Sequence, residues 1–300
     1  MKKIAIIGST ASGKSDLALK IATQLDGYIL SIDSLSIYKE IDIASAKPSS
    51  DELKMIEHFG IDILSPHQNA SVFDFIDEYH KILEQAKRDN KNIIIVGGSS
   101  FYLKSMIDGL SKLPPSSSES IEKCNHYMRD LESAYSMLYK IDSEYMKNIA
   151  PSDRYRIEKA LLIYIDSKIT PSQWFRLHPK EPIIDDIEIF NIAVNRETLR
   201  DKIALRATKM IEMGIIDEVA YLERKYARSP NSMKAIGIVE TLEYLDGFIS
   251  KDELYELIVT HTAQLAKRQN TFNTHQFLNI VSDSSENLEK IILDGATGEI

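Results

Sequence analysis

Residues 8–15 read Gly8-Ser9-Thr10-Ala11-Ser12-Gly13-Lys14-Ser15, a complete match to the phosphate-binding loop pattern G-x-x-x-x-G-K-[ST]. Few short motifs restrict a fold as much, because this loop works only between a buried strand and a helix N-terminus. Both flanks are legible. Ile4–Ile7 form a short apolar run ahead of it, and Leu17, Leu19, Ile21, Ala22 and Leu25 recur at roughly helical spacing behind it. That arrangement aims backbone N–H groups and the positive end of a helix dipole at one point. An anion carrying two linked phosphates is the natural occupant, with Lys14 on its outer oxygens and the Ser15 hydroxyl ligating a magnesium ion (Mg²⁺). The competing reading, a chance match in a glycine turn, leaves those flanks unexplained.

Further apolar runs at Tyr28–Ile32, Ile61–Leu64 and Ile93–Val96 predict strands, with helices at Ser15–Leu25 and Val72–Arg88 between them. Strand and helix alternating at these spacings predict an α/β fold, a P-loop NTPase-like parallel sheet flanked by helices. The composition breaks at Leu113-Pro114-Pro115-Ser116-Ser117-Ser118, the clearest linker in the chain. From 119 to about 168 only helical periodicity follows, with Pro151 as a break and Ser152 or Asp153 as an N-cap; Pro171, Pro179 and Pro182 then read as a loop. Ile187–Val194 reads as a strand rejoining the sheet. The expected organisation is therefore an α/β core from 1–112 and 185–300, with an all-helical insertion domain at 113–184. Helices are expected at Glu197–Met213, Asp217–Tyr226, Ala235–Leu245 and from Asp252 towards Phe272, then a last strand at Phe277–Val281 and a last helix at Glu286–Leu293.

Composition narrows the setting. One cysteine, Cys124, excludes a disulfide framework and a cysteine-based zinc site, and suits a reducing cytoplasm. No secretory leader and no membrane-length apolar stretch are legible, so no membrane partner is expected. A net charge of −9 argues against non-specific nucleic-acid binding, although a local basic face can still hold phosphates. No dimer seam is evident, and a monomer is expected.

Three segments carry chemistry besides the loop. Asp33 opens Asp33-Ser34-Leu35-Ser36-Ile37-Tyr38 at the carboxyl end of the second strand, the end that lines the ligand crevice in open α/β sheets. Capping the next turn is the commoner use of an aspartate; ligating metal or taking a proton from a nucleophile is the other. The next strand ends Val96-Gly97-Gly98-Ser99-Ser100 without an acid, which favours group transfer over motor-type hydrolysis. Ser99 and Ser100 could offer hydroxyls there or cap the helix that follows. The lone Lys47 in Ala46-Lys47-Pro48 reads as a solvated surface lysine. Between Arg196 and Lys234 basic residues outnumber acidic ones, and Arg206 sits four residues after Lys202 on one helix face. Lys267-Arg268-Gln269-Asn270-Thr271-Phe272 combines cations, an amide and an aromatic, suited to phosphate contact with stacking or simply to a helix C-terminus.

In order along the chain, these segments resemble the tRNA dimethylallyltransferase (tRNA isopentenyltransferase) family. The resemblance covers the loop with its Thr10-Ala11-Ser12, Asp33-Ser34-x-x-x-Tyr38, Ala46-Lys47-Pro48, Ser71–Phe75, Gly97–Lys104, Asp153–Leu161, Arg206-x-x-x-Met210-x-x-x-Gly214, Lys234–Gly237 and Ala266–Gln269. It departs at Ala70, at Ser100 where the family has glycine, at Ile121 near a usual arginine, and at Phe272 in place of tryptophan. The resemblance implies that the exocyclic N6 amine of the adenosine beside the anticodon (A37) attacks C1 of dimethylallyl diphosphate, releasing diphosphate. Asp33, Thr10 and Arg206 are then the catalytic residues, and the loop holds the diphosphate with Mg²⁺ on Ser15. It also implies tRNA contact through Asp33, Ser34, Leu35, Ser36, Ser99, Arg154, Arg156, Lys234, Lys267, Arg268 and Gln269, the insertion gripping the anticodon stem–loop. The alternatives are an ATP-binding small-molecule kinase, a prenyltransferase of free adenine nucleotides, and a nucleotide-dependent RNA-binding switch.

Overall fold

A computed structural model describes residues 1–278 and 280–297. The chain divides into two compact units, Met1–Met106 with Ile184–Ile300, and Ile107–Ile183.

The first unit is built on β1 (Lys3–Gly8), α1 (Lys14–Gln24), β2 (Gly27–Ser31), α2 (Ser50–Met55), β3 (His58–Phe59), α3 (Val72–Asp89), β4 (Asn92–Val96) and α4 (Ser100–Asp108). The six-stranded sheet runs β3-β2-β4-β1-β5-β6, and every pairing is parallel. Consecutive β1 and β2 are thus separated by β4, while β1 meets β5 on its other side. Strand order reverses at β1, which opens a crevice beyond the carboxyl ends of β1, β2 and β4. The residues flooring that crevice are the ones just after these strands: the loop, Asp33 and Gly97-Gly98. Fully buried strands explain the unbroken apolar runs. Ile4, Ile6, Ile29 and Ile94 pack with Leu17 and Ile21 of α1 in one core.

The second unit holds α5 (Ser118–Tyr127), α6 (Leu131–Ile141), α7 (Ser143–Met146), α8 (Arg154–Ser167) and α9 (Pro171–Leu177). Its core includes Cys124, Met128, Leu138, Met146, Ile157 and Leu161. Asp153 caps α8 by accepting from the Arg156 N–H at 3.0 Å. The proline-punctuated loop expected after 168 is interrupted by α9. Pro171 begins that helix, where its missing N–H costs nothing, behind a Thr170–Gln173 capping box.

The chain then returns through β5 (Glu188–Ile192), α10 (Arg196–Glu212), α11 (Ile215–Tyr226), a 3₁₀ turn (Asn231–Lys234), α12 (Ile238–Leu245), α13 (Lys251–Gln276), β6 (Val281–Asp283) and α14 (Ser285–Thr297). Three expectations move. The strand expected at Ile61–Leu64 lies instead at His58–Phe59, and Leu64 makes only an isolated bridge to Tyr38. The helix expected from Ala235 starts at Ile238, because Gly237 turns at φ 91° ahead of it. The last strand pairs at Val281–Asp283 rather than Phe277–Val281, a stretch in which Asn279 lies outside the described residues. Among the described residues no helix is long and apolar enough to cross a membrane.

Candidate active site

The phosphate loop leaves β1 at Gly8 and enters α1 at Gly13, whose φ of 95° no other residue adopts cheaply. A Cβ at Gly8 would stand 2.9 Å from Ser12 Oγ, so the loop closes too tightly for any side chain there. No side chain caps α1, which leaves its first N–H groups directed at whatever the loop encloses. Ser12 Oγ is buried with no hydrogen-bond partner among the described residues.

Lys14 is 9% exposed, and its Nζ donates to the Ser9 carbonyl at 2.6 Å. Burial pulls its ammonium down to about 8, opposed by the Asp33 carboxylate and reinforced by Arg206. The Arg206 guanidinium is pushed down by burial too, again opposed by Asp33. Two desolvated cations facing one carboxylate form a site short of negative charge. A polyanion such as a diphosphate is the kind of group that would complete it.

Two adjoining compartments open over the loop. The deeper, about 90 Å³, is lined by Lys14, Ser15, Ser36 and His58 among others; the outer, about 340 Å³, reaches Ser34, Leu35, Ser99, Lys234 and Gln269. Thr10, Asp33, Ser45, Gly98 and Arg206 line both. The fold therefore brings Asp33, Thr10, Arg206 and the Lys14-Ser15 end of the loop to one cleft, with Ser34, Leu35, Ser36, Ser99, Lys234 and Gln269 around it. Of the loop only Thr10, Lys14 and Ser15 line the two compartments; Gly8, Ala11, Ser12 and Gly13 do not, and Ser9 lines a different cavity. Arg268, exposed on α13, lines a further pocket that shares Ser34, Gly98, Ser99 and Gln269 with the outer compartment. Lys267, exposed on the same helix, lies outside that lining, and Arg154 and Arg156 are exposed on α8 of the helical unit.

Asp33 serves two ends at once. Its Oδ1 accepts from the N–H groups of Leu35 at 2.9 Å and Ser36 at 3.2 Å, a capped turn that fixes the side chain. Oδ2 carries no such bond and lies 3.6 Å from where a Cβ on Gly98 would be. Turn cap and proton acceptor are thus compatible roles, one per oxygen. Ser99 Oγ accepts from the Ser34 N–H at 3.1 Å, which ties the Asp33 turn to the end of β4. Ser100 caps nothing; its Oγ is buried without a partner. Gly97 is required because a Cβ there would come within 2.5 Å of the Ile32 carbonyl oxygen.

Gln269 works as a strut. Its Oε1 accepts from the Thr10 N–H at 2.7 Å and its Nε2 donates to the Gly98 carbonyl at 2.9 Å, so both ends of the amide are used within the protein. A residue on α13 thereby spaces the phosphate loop from the end of β4.

Sequence reasoning missed the bracing of the 38–48 loop. Lys47, read as a solvated lysine, is almost wholly buried at its side chain and donates to the Tyr38 carbonyl at 2.7 Å and to Asp42 and Asp62 at 2.6 Å. Glu218 of α11 accepts from three consecutive N–H groups, Asp42 at 2.9 Å, Ile43 at 2.7 Å and Ala44 at 2.9 Å. This holds the Ser45 carbonyl where the Arg206 Nη2 donates to it at 3.4 Å. The one hint in the sequence was the position of Glu218 just beyond Gly214. Loop-to-helix contacts of this span leave no periodic trace.

No group of three or more His, Cys, Asp or Glu side chains suited to a metal occurs among the described residues. Ser15, at the start of α1, lines the deeper compartment.

Comparison with known proteins agrees along the chain. The family model described as IPP transferase matches residues 36–276. The tRNA dimethylallyltransferase of Sulfurimonas denitrificans is 59% identical over 98% of this chain and 99% of its own length. That of Helicobacter pylori is 41% identical over 97% and 93%. Among solved structures, the full-length tRNA isopentenylpyrophosphate transferase of Bacillus halodurans superposes with a TM-score of 0.72 at 26% identity, covering 99% of this chain and 96% of that one. A eukaryotic dimethylallyltransferase acting on tRNA gives 0.81 at 25% identity, over 91% and 69%. With a family match this long and relatives aligned nearly end to end, the chain belongs to the IPP transferase family.

Proposed function

We propose that this chain transfers a dimethylallyl group to tRNA within the cleft over the phosphate loop. The donor is dimethylallyl diphosphate, and the acceptor is the exocyclic N6 of the adenosine beside the anticodon. A C–N bond forms at C1, the C–O bond to diphosphate breaks with its electron pair leaving on the diphosphate, and one N6 proton passes to Asp33 Oδ2. The observation that carries this reading is the shared lining of the two compartments. Asp33 stands at their junction, with Lys14 below it and Arg206 beside it.

An aromatic amine is a weak nucleophile because its lone pair is delocalised, so a fixed proton acceptor helps it. The capped Oδ1 holds Oδ2 still for that task. An allylic diphosphate ionises once its departing charge is met, and loop N–H groups, Lys14 and Arg206 meet it in a partly dry site. The site also fits Mg²⁺: a hydroxyl ligand at Ser15, no acidic cage, and an orphaned buried Ser12 Oγ suit an ion that keeps waters and binds through phosphate oxygens. Mg²⁺ bound there would add positive charge on the leaving diphosphate.

The adenine must leave its stack to enter the outer compartment, at a cost of about a few kcal/mol and less in a loop than in a duplex. Ser34, Leu35, Ser99, Lys234 and Gln269 line that approach, while Lys267 and Arg268 on α13 and Arg154 and Arg156 on α8 contact the RNA backbone of the anticodon stem–loop. One chain holds every residue the step uses, so it acts as a monomer, in the cytoplasm with its tRNA. The test is incubation with labelled dimethylallyl diphosphate and tRNA, AMP or ATP. Label enters tRNA. Label in AMP alone, or ADP formation from ATP without labelled tRNA, would sink the reading.

A further inference from the structure

A separate cavity of about 380 Å³ lies between α10 and α13 beyond the end of β5, and it shares no lining residue with the cleft. Its floor is apolar and branched, with Ile192, Ile203 and Ala266 buried. Its rim carries Arg196, Arg200 and Lys267, all exposed, none in an ion pair among the described residues. No acidic residue lines it. One further polar group belongs to it. Ser9, only 7% exposed, lines this cavity.

Three cations with no ion pair among the described residues, in a chain of net charge −9, call for an anionic head. The branched aliphatic floor calls for a hydrocarbon tail. A fatty carboxylate would leave most of that charge unmet. A nucleotide base would need acceptors as well as donors along its edge, and apart from Ser9 and the donor-only cations the lining offers only the amide of Asn270.

We propose that this cavity is a second site that binds a prenyl diphosphate longer than five carbons, distinct from the site of transfer. The choice of that ligand class rests on the reading of the cleft given above; the cavity does not. An occupant here bears on the phosphate loop from behind. Ser9 lines the cavity while its carbonyl accepts from Lys14 Nζ at 2.6 Å. Asn270 follows Gln269, whose amide holds the Thr10 N–H.

Equilibrium dialysis of radiolabelled geranyl diphosphate against the full chain carrying Lys14→Ala tests this, since that change removes the diphosphate grip of the cleft. One molecule per chain is expected to bind. Adding Arg196→Glu and Arg200→Glu should weaken binding at least about tenfold, and unlabelled inorganic pyrophosphate should compete at least about tenfold more weakly than geranyl diphosphate. As a check independent of Lys14→Ala, Arg200→Glu in the otherwise unaltered chain should raise the Kd of one geranyl diphosphate binding step by at least about threefold, with the number bound at saturation unchanged. No binding to the Lys14→Ala chain, binding indifferent to charge reversal, or pyrophosphate competing equally well would overturn the proposal. Failure of labelled dimethylallyl to enter tRNA, with geranyl diphosphate still bound here, would instead overturn the reading of the cleft.

Discussion

In the α/β unit Lys14, Asp33 and Arg206 are each held by another group, whereas in the helical unit the assigned cations stand in solvent. Lys14 is buried against the Ser9 carbonyl, Asp33 is capped by two N–H groups, and Arg206 reaches a carbonyl that Glu218 fixes in place. On α8, Arg154 and Arg156 are exposed, with one tether each: the Met128 carbonyl at 3.0 Å and Asp153 at 3.4 Å. Under the proposed function, the difference follows the size of what each region meets. Charge developing at one atom rewards donors that need not move. A flexible RNA backbone is held by many screened, individually weak contacts, for which mobile side chains suffice.

Substitutions can break that contrast. The largest effect is expected from Asp33→Asn, which keeps an oxygen to cap the turn but removes the proton acceptor. Single-turnover transfer should fall by about 10²–10⁴-fold while diphosphate binding persists. Lys14→Ala should lower kcat/KM by about 10²–10³-fold, with binding of the donor lost as well. Because Lys14 in the empty loop titrates near 8, it loses its proton above that value. The pH profile of kcat/KM for the donor should therefore decline as pH rises past about 8.

Gln269→Ala leaves a Thr10 N–H and a Gly98 carbonyl without partners, each worth about 1–3 kcal/mol where buried. Transfer should fall about tenfold, read as kcat with both substrates saturating. The smallest effect sharpens the other side of the comparison. Arg156→Glu should raise KM for tRNA a few-fold, leave KM for the donor unchanged, and reduce the salt dependence of tRNA binding by about one ion. A change in donor KM would mean that the helical unit does more than hold RNA.

What was legible in the sequence follows the same division. The strands after which Gly8, Asp33 and Gly97 fall are buried on both faces, so their apolar runs stand out and their carboxyl ends can be placed before any coordinates. β3 was misplaced because its pairing is two residues long and His58–Phe59 has no apolar run to mark it. The braces were illegible for a different reason. Lys47, Glu218 and Gln269 act on backbone groups far away in the chain, and a residue type alone does not reveal which carbonyl or N–H it will meet. Asp33 was readable in both its roles, but only the geometry assigns one oxygen to each.

The most direct test is a crystal structure of the chain with a non-hydrolysable dimethylallyl diphosphate analogue and an anticodon stem–loop. The account predicts the diphosphate against Lys14 and Ser15, and the flipped adenine with its exocyclic nitrogen within hydrogen-bond distance of Asp33 Oδ2. A diphosphate bound away from the loop, or an adenine amine whose nearest acceptor is some other group, would contradict it.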